Sequence, residues 1–232
     1  MNRIKDIIVL AGGLGIRLRP ISENTPKVLV PVAEDRVFLD YILSWLAKSQ
    51  VKRVILSLHY RYEQFQLYIA RHTFPFTVEM VVEPSLLGTG GAVRHVLEQK
   101  DVGESFGVLN GDTYLNFGLK YMVEQFERLQ DGCIVGLSYV EDTSRYGKVH
   151  TCDSKVMAFE EKDSSGGAGW VNNGCYILTR DIFTSCPNKF SLEKELFPRL
   201  IEEGKLYGYK AAGEFIDIGV PEDYHRFIRL YG

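Results

Sequence analysis

The run Ile7-Ile8-Val9-Leu10-Ala11-Gly12-Gly13-Leu14-Gly15-Ile16-Arg17-Leu18-Arg19-Pro20 decides the fold class of this chain. Ile7 to Leu10 is a short, continuously apolar run, the pattern of a strand buried on both faces. It stops at a loop with three glycines in four positions. A glycine loop at the carboxyl end of a first parallel strand lets backbone N–H groups approach phosphate oxygens that side chains would hold away. Glycines also serve plain turns, and spacing alone leaves both uses open. Two other phosphate-binding patterns fail here. The dinucleotide fingerprint needs a third glycine where Leu18 stands, and Pro20 stops a helix from continuing out of the loop. The P-loop needs Gly-Lys-Ser/Thr, whereas Gly15 is followed by Ile16 and Arg17.

Outward from that loop, short β-rich runs alternate with helical patterns. Leu39, Ile42, Leu43 and Leu46 recur at helical spacing, and the following segments predict a strand over 54–58, a helix over 62–71, a strand over 77–82, a helix over 90–99 and a strand over 106–109. This is the signature of an α/β, Rossmann-like, doubly wound fold: a mixed, mostly parallel sheet flanked by helices. After a helix over 119–129 the rhythm changes to strand-like runs at 134–139, 148–151, 156–159 and 171–178, which predict a small antiparallel or mixed β annex. Ser191 is an N-cap signal for a further helix. Its third successor is Lys194, so the reciprocal half of a capping box is not expected. Strands over 206–211 and 215–218 follow, and Pro221 suits the first residue of a terminal helix reaching about 230.

The 232 residues fit a single domain over 1–232, and no internal repeat is visible, so no carboxyl-terminal β-helix is expected. With 27 Lys+Arg against 30 Asp+Glu, a net charge of −3 gives no general basic field, which argues against nucleic acid as a partner. No apolar run approaches the ~20 residues of a membrane span, and the opening run is too short for a signal-peptide core. Cys133, Cys152, Cys175 and Cys186 lack metal-ligand spacing and read as free thiols, which together with the missing signal predicts a cytoplasmic protein. The five histidines show no ligand or triad spacing.

Against this mildly acidic background Arg17, Arg19 and Lys27 form a local anion trap beside the glycine loop. Asp112 and Asp217 lie about a hundred positions apart, each near glycine at a predicted strand end. Two such carboxylates suit Mg²⁺, with substrate phosphates and water completing its octahedron; alone, Asp112 also reads as a solvated turn residue. Gly12-Gly13-x-Gly15-x-Arg17-Leu18-x-Pro20, then Thr25-Pro26-Lys27 and Pro31, resembles the signature of the nucleotide-sugar pyrophosphorylases, the sugar-phosphate nucleotidyltransferases.

Other segments continue the resemblance in order. Leu87-Gly88-Thr89-Gly90-Gly91-Ala92 looks like the family's base-recognition loop, with Glu83 upstream at the base edge. Asn110-Gly111-Asp112 and Phe215-Ile216-Asp217-Ile218-Gly219 look like its two metal segments. Tyr146-Gly147, Glu161-Lys162 and Asn172-Asn173-Gly174-Cys175-Tyr176 are similar to its sugar-phosphate segments.

The resemblance implies transfer of a nucleotidyl group from a nucleoside triphosphate to a sugar 1-phosphate. Leu10, Ala11, Gly12, Gly13, Gly15, Arg17, Glu83, Gly88, Thr89 and Gly111 would bind the nucleotide. Lys27, Tyr146, Gly147, Glu161, Lys162 and Asn172 would bind the sugar phosphate. Asp112 and Asp217 would hold Mg²⁺, and Arg17, Lys27, Asp112 and Lys162 would act in catalysis.

A carboxylate at Glu83 matches the adjacent N1–H and N2–H donors of guanine better than the single donor of uracil or thymine. Within the family the chain resembles most the short bacterial heptose 1-phosphate guanylyltransferases, through Leu109-Asn110-Gly111-Asp112-Thr113, Arg145-Tyr146-Gly147 and Phe190-Ser191-Leu192-Glu193-Lys194. GTP and a heptose 1-phosphate are the substrates this implies, for GDP-heptose destined for capsule or S-layer glycans. A uridylyl- or thymidylyltransferase and a non-catalytic nucleotide-sugar-binding protein are the alternatives. A homodimer is left open. The chain departs from the family at Ser22, where Thr is usual, and at Asn173, where Ala or Gly is commoner.

Overall fold

The computed structural model describes residues 4–160 and 166–232. In chain order the elements are β1 (Asp6–Leu10), β2 (Pro31–Ala33), β3 (Arg36–Val37), α1 (Phe38–Ala47), β4 (Arg53–Leu58), α2 (Tyr62–Ala70), β5 (Thr77–Val82), α3 (Gly88–Gln99), β6 (Ser105–Asn110), β7 (Thr113–Asn116) and α4 (Leu119–Glu127). They continue with β8 (Cys133–Val140), β9 (Val149–Cys152), β10 (Lys155–Phe159), β11 (Gly169–Thr179), α5 (Phe197–Glu202), β12 (Leu206–Lys210), β13 (Glu214–Asp217) and α6 (Pro221–Tyr231).

β1 is apolar on both faces because both faces are covered. Ile7 and Val9 join one buried cluster and Ile8 the other. It pairs parallel with β4 on one side and β6 on the other, within a nine-stranded sheet of order β5-β4-β1-β6-β11-β8-β12-β10-β9. The order reverses at β1, since β4 and β5 lie to one side and β6 to the other. The crevice beyond the carboxyl ends of β1 and β6 is therefore the place where such sheets bind ligands.

The strands expected to form an annex continue the same sheet. β11 runs antiparallel to both β6 and β8, and β12 is parallel to β8. Their faces carry on the core through Val135, Leu137, Tyr176 and Leu178. The helix signalled by Ser191 opens with a wide π-helical turn over Leu192–Leu196 before α5 begins. Ser191 Oγ accepts from the Lys194 N–H at 3.2 Å, as an N-cap does. The reciprocal bond comes one residue later than a capping box places it, with Ser191 N–H donating to Glu195 at 2.9 Å, because the wide turn inserts a residue.

Candidate active site

The two uses of glycine left open by the sequence occur at different residues. Gly15 makes the turn, with φ of +64°, and the buried Ser22 hydroxyl donates to its carbonyl at 2.7 Å. The hydroxyl common to Ser and Thr is thus what position 22 supplies. Gly12 permits a close approach: a Cβ there would lie 2.8 Å from Glu83 Oε1 and 3.1 Å from the His59 nitrogen. Gly13 faces open space.

Glu83 follows β5 and is 6% exposed. Its Oε1 accepts from Ser57 Oγ at 3.2 Å and its Oε2 from the Leu87 N–H at 3.3 Å. Burial pushes its carboxyl above the usual carboxylate range, against the pull of those two donors. Leu10, Ala11, Gly12 and Gly13 line one cavity of about 270 Å³ together with Glu83, Gly88 and Thr89. Gly15 and Arg17 lie along an adjoining groove with Gly219. Gly111 does not line the cavity but packs against Leu10, which does: its N–H donates to the Leu10 carbonyl at 3.0 Å and a Cβ would lie 2.7 Å from that oxygen.

Asp112 and Asp217 are brought together by a short antiparallel ladder absent from the sequence reading. β13 pairs with β7 so that Asp217 faces Thr113, and the Ile218 N–H donates to the Asp112 carbonyl at 2.9 Å. Asp217 Oδ1 accepts from the Gly219 N–H at 2.7 Å, with the Arg17 guanidinium close by. Lys27 is ion-paired with Asp112. Burial raises both carboxyls. At Asp112 this is overcome by Lys27 and Arg17, which hold it below the usual range; at Asp217 the charge of Asp112 adds to burial and pushes it up. An Asp217 carboxyl pushed up by the neighbouring Asp112 charge fits a divalent cation shared between the two. Among the described residues no group of three or more His, Cys, Asp or Glu side chains could hold a metal by itself. Most of a coordination sphere there is left to oxygens from outside the protein, which suits Mg²⁺.

A second cavity, about 570 Å³, meets the first at Asn110 and Asp112. Tyr146, Gly147 and Asn172 line it together with Arg17 and Asp217. Tyr146 packs edge-on to Phe215 at 5.3 Å, and Arg145 is ion-paired with Asp223 in the first turn of α6, which ties the 143–147 turn to the carboxyl-terminal motif. Asn172 Oδ1 accepts from the Gly174 N–H at 2.9 Å. Asn173 is wholly buried, donates to Ser138 Oγ at 3.2 Å, and fills space left by Gly136, where a Cβ would lie 2.4 Å from its Oδ1. Asn173 also lines the larger cavity, so its departure from the family pattern is accommodated by Gly136 at the cavity wall. Glu161 and Lys162 lie outside the described residues. Glu193 and Lys194, quoted in the motif without a role, also line this cavity.

Of the glycines in the motif at 87–92, Gly88 lines the smaller cavity and Gly90 and Gly91 pack against another segment. A Cβ on Gly90 or Gly91 would collide with the Phe190 ring or the Asn188 carbonyl, so they serve packing of α3 against residues 188–190. Cys133, Cys152, Cys175 and Cys186 are free thiols. Among the described residues no helix is long and apolar enough to cross a membrane.

A family model described as nucleotidyl transferase matches residues 6–231. The chain is 34% identical over 223 residues to D-glycero-alpha-D-manno-heptose 1-phosphate guanylyltransferase of Aneurinibacillus thermoaerophilus, covering 95% of this chain and 96% of that one. It is 37% identical over 228 residues to the protein of the same name from Campylobacter jejuni, covering 95% and 97%. Its fold superposes on the crystal structure of HddC from Yersinia pseudotuberculosis complexed with GMP-PN with a TM-score of 0.86 at 32% identity, covering 99% of this chain and 100% of that one.

Proposed function

The chain belongs to the nucleotidyl transferase family, and from that premise we propose that it transfers GMP from GTP to D-glycero-α-D-manno-heptose 1-phosphate, releasing pyrophosphate and forming GDP-heptose. The observation that carries the choice of base is Glu83, a buried carboxylate on the wall of the smaller cavity, held by two donors yet with acceptor capacity left for guanine N1–H and N2–H. The names of the two relatives supply the sugar.

Two polyanions must meet in one cleft of an acidic protein, so charge compensation is the main catalytic task. Leu10 to Gly15 would present backbone to the triphosphate, with Arg17 against the departing pyrophosphate. The sugar phosphate would occupy the larger cavity against Tyr146, Gly147 and Asn172, with Glu161 on sugar hydroxyls and Lys162 on the phosphate by family resemblance. Lys27 lines the smaller cavity and is ion-paired with Asp112, one of the two residues at which the cavities meet, and from there would draw the two anions together. Asp112 and Asp217 would hold Mg²⁺, whose positive charge, when bound, polarises the phosphates between them. The sugar-phosphate oxygen then attacks the α-phosphorus in line and pyrophosphate leaves, with no side chain acting as nucleophile.

The test is pyrophosphate release, with and without Mg²⁺, across GTP, UTP, dTTP, CTP and ATP against heptose, mannose, glucose and N-acetylmuramate 1-phosphates. Metal-dependent turnover confined to GTP with the manno-heptose phosphate supports the reading. Turnover with UTP or dTTP instead removes the base assignment, and silence throughout removes the enzymatic one.

A further inference from the structure

Thr89 lines the smaller cavity, yet its hydroxyl is turned out of it. It donates to Glu193 Oε2 at 2.6 Å and accepts from the Leu192 N–H at 2.9 Å. The backbone around it does the same. The Gly90 and Gly91 N–H groups donate to the Phe190 carbonyl at 3.0 and 3.2 Å, and the Phe190 N–H donates to the Leu87 carbonyl at 3.0 Å. Amides that helix α3 would otherwise leave open at its start are therefore occupied by residue 190. A Cβ on Gly88 would come within 2.5 Å of the same carbonyl. Residues 87–91 and 188–193 are thus joined by hydrogen bonds and close packing into one unit.

The other end of that unit reaches the larger cavity. Glu193 Oε1 accepts from the Tyr176 hydroxyl at 3.1 Å, and Oε2 accepts a second bond from Ser191 Oγ at 2.8 Å. Tyr176 is wholly buried, and its oxygen accepts from Asn172 Nδ2 at 3.1 Å. Asn172 in turn holds the Gly174 N–H. An unbroken series of hydrogen bonds, Thr89 to Glu193 to Tyr176 to Asn172, thus runs from the nucleotide side of the cleft to the sugar side. With three hydroxyls fixed on its two oxygens, the Glu193 carboxylate has one orientation, and it changes if either end moves.

We propose that Glu193 is a positioning residue that couples the two cavities, so that a nucleotide seated against residues 87–91 tightens the site for the sugar phosphate. This rests on the substrate reading above. Coupling between binding sites is reciprocal, so the sugar phosphate tightens the nucleotide by the same factor.

The experiment measures the affinity of D-glycero-α-D-manno-heptose 1-phosphate by calorimetry, in Mg²⁺ buffer, with and without a GTP analogue carrying a methylene between the α- and β-phosphorus. In the wild type the analogue should tighten sugar-phosphate binding at least about fivefold. Thr89→Val, which removes the hydroxyl at nearly constant shape, and Tyr176→Phe should each bring that factor close to one, and Thr89→Ser should retain it. A merely structural role would lower stability and leave the factor unchanged. An unaltered factor in both Thr89→Val and Tyr176→Phe, with both ligands still bound, overturns the coupling alone. Failure of the wild type to bind either ligand overturns the substrate reading and the coupling with it.

Discussion

Gly12 lies so close to Glu83 that a methyl group on its α-carbon would stand 2.8 Å from Glu83 Oε1, inside van der Waals contact. The first strand's loop and the Glu83 carboxylate, proposed above to read the base, are therefore fitted to each other. The carboxylate end can shift, but the His59 backbone on the other side, 3.1 Å away, cannot do so cheaply. Gly12→Ala should displace Glu83, raise KM for GTP about tenfold or more, and cost ~1–3 kcal/mol of stability. Steady-state kinetics with a urea melt checks both, and an unchanged KM would mean that the contact has no bearing on nucleotide binding.

Glu83 itself should make stability depend on pH. Burial raises its folded-state pKa above the unfolded value, so the fold favours the protonated acid. The stability it contributes is complete below the unfolded carboxylate pKa, about 4.3, and is lost as pH rises through the folded value. Glu83→Gln cannot ionise. Its stability relative to wild type should therefore increase from about pH 4 towards neutrality, while its kcat/KM for GTP falls ~10- to 100-fold, as expected for losing a charged acceptor. Urea melts at several pH values decide it; parallel stability curves would contradict the assigned shift.

Asn173 and Gly136 should behave as a matched pair. Gly136→Ala places a methyl 2.4 Å from Asn173 Oδ1 inside the sheet and should cost ~2–3 kcal/mol. Adding Asn173→Ala removes the obstacle, so the double variant should recover a good part of that loss. Denaturant melts of the four chains measure the interaction, and simple additivity would show the contact to be unimportant.

Lys27 is the one cation in the described structure paired directly with Asp112. Lys27→Ala should lower turnover by ~10²–10³-fold through loss of the charge beside Asp112 in the smaller cavity. Lys27→Arg, which keeps the charge but not the point geometry, should recover part of it. Activity near wild type in the alanine variant would remove Lys27 from the mechanism.

The sequence was legible where signals are local. The apolar run 7–10, its glycine loop and the helical spacing of Leu39 to Leu46 correspond to β1, its turn and α1. Asp112 and Asp217 stand out in the sequence, but what joins them does not: β7 is four residues long and its partner lies about a hundred positions away, beyond the reach of any periodicity. Strands 134–139 and 171–178 were recognised and their continuity with the main sheet was not, since pairing of β11 with β6 is set by packing. Glu193 went without a role because the turn carrying it is π-wide, and its direction follows from one extra residue that no pattern announces. The packing of Gly90 and Gly91 against residues 188–190 was not legible, because Phe190 is distant in sequence.

The most direct test of the account is a competition: the protein with Mg²⁺, D-glycero-α-D-manno-heptose 1-phosphate and equal concentrations of GTP, UTP, dTTP, CTP and ATP, with products resolved by mass. GDP-heptose should dominate from the earliest time point. A product carrying uridine or thymidine, or no nucleotide sugar at all, would contradict the guanylyl-transfer reading.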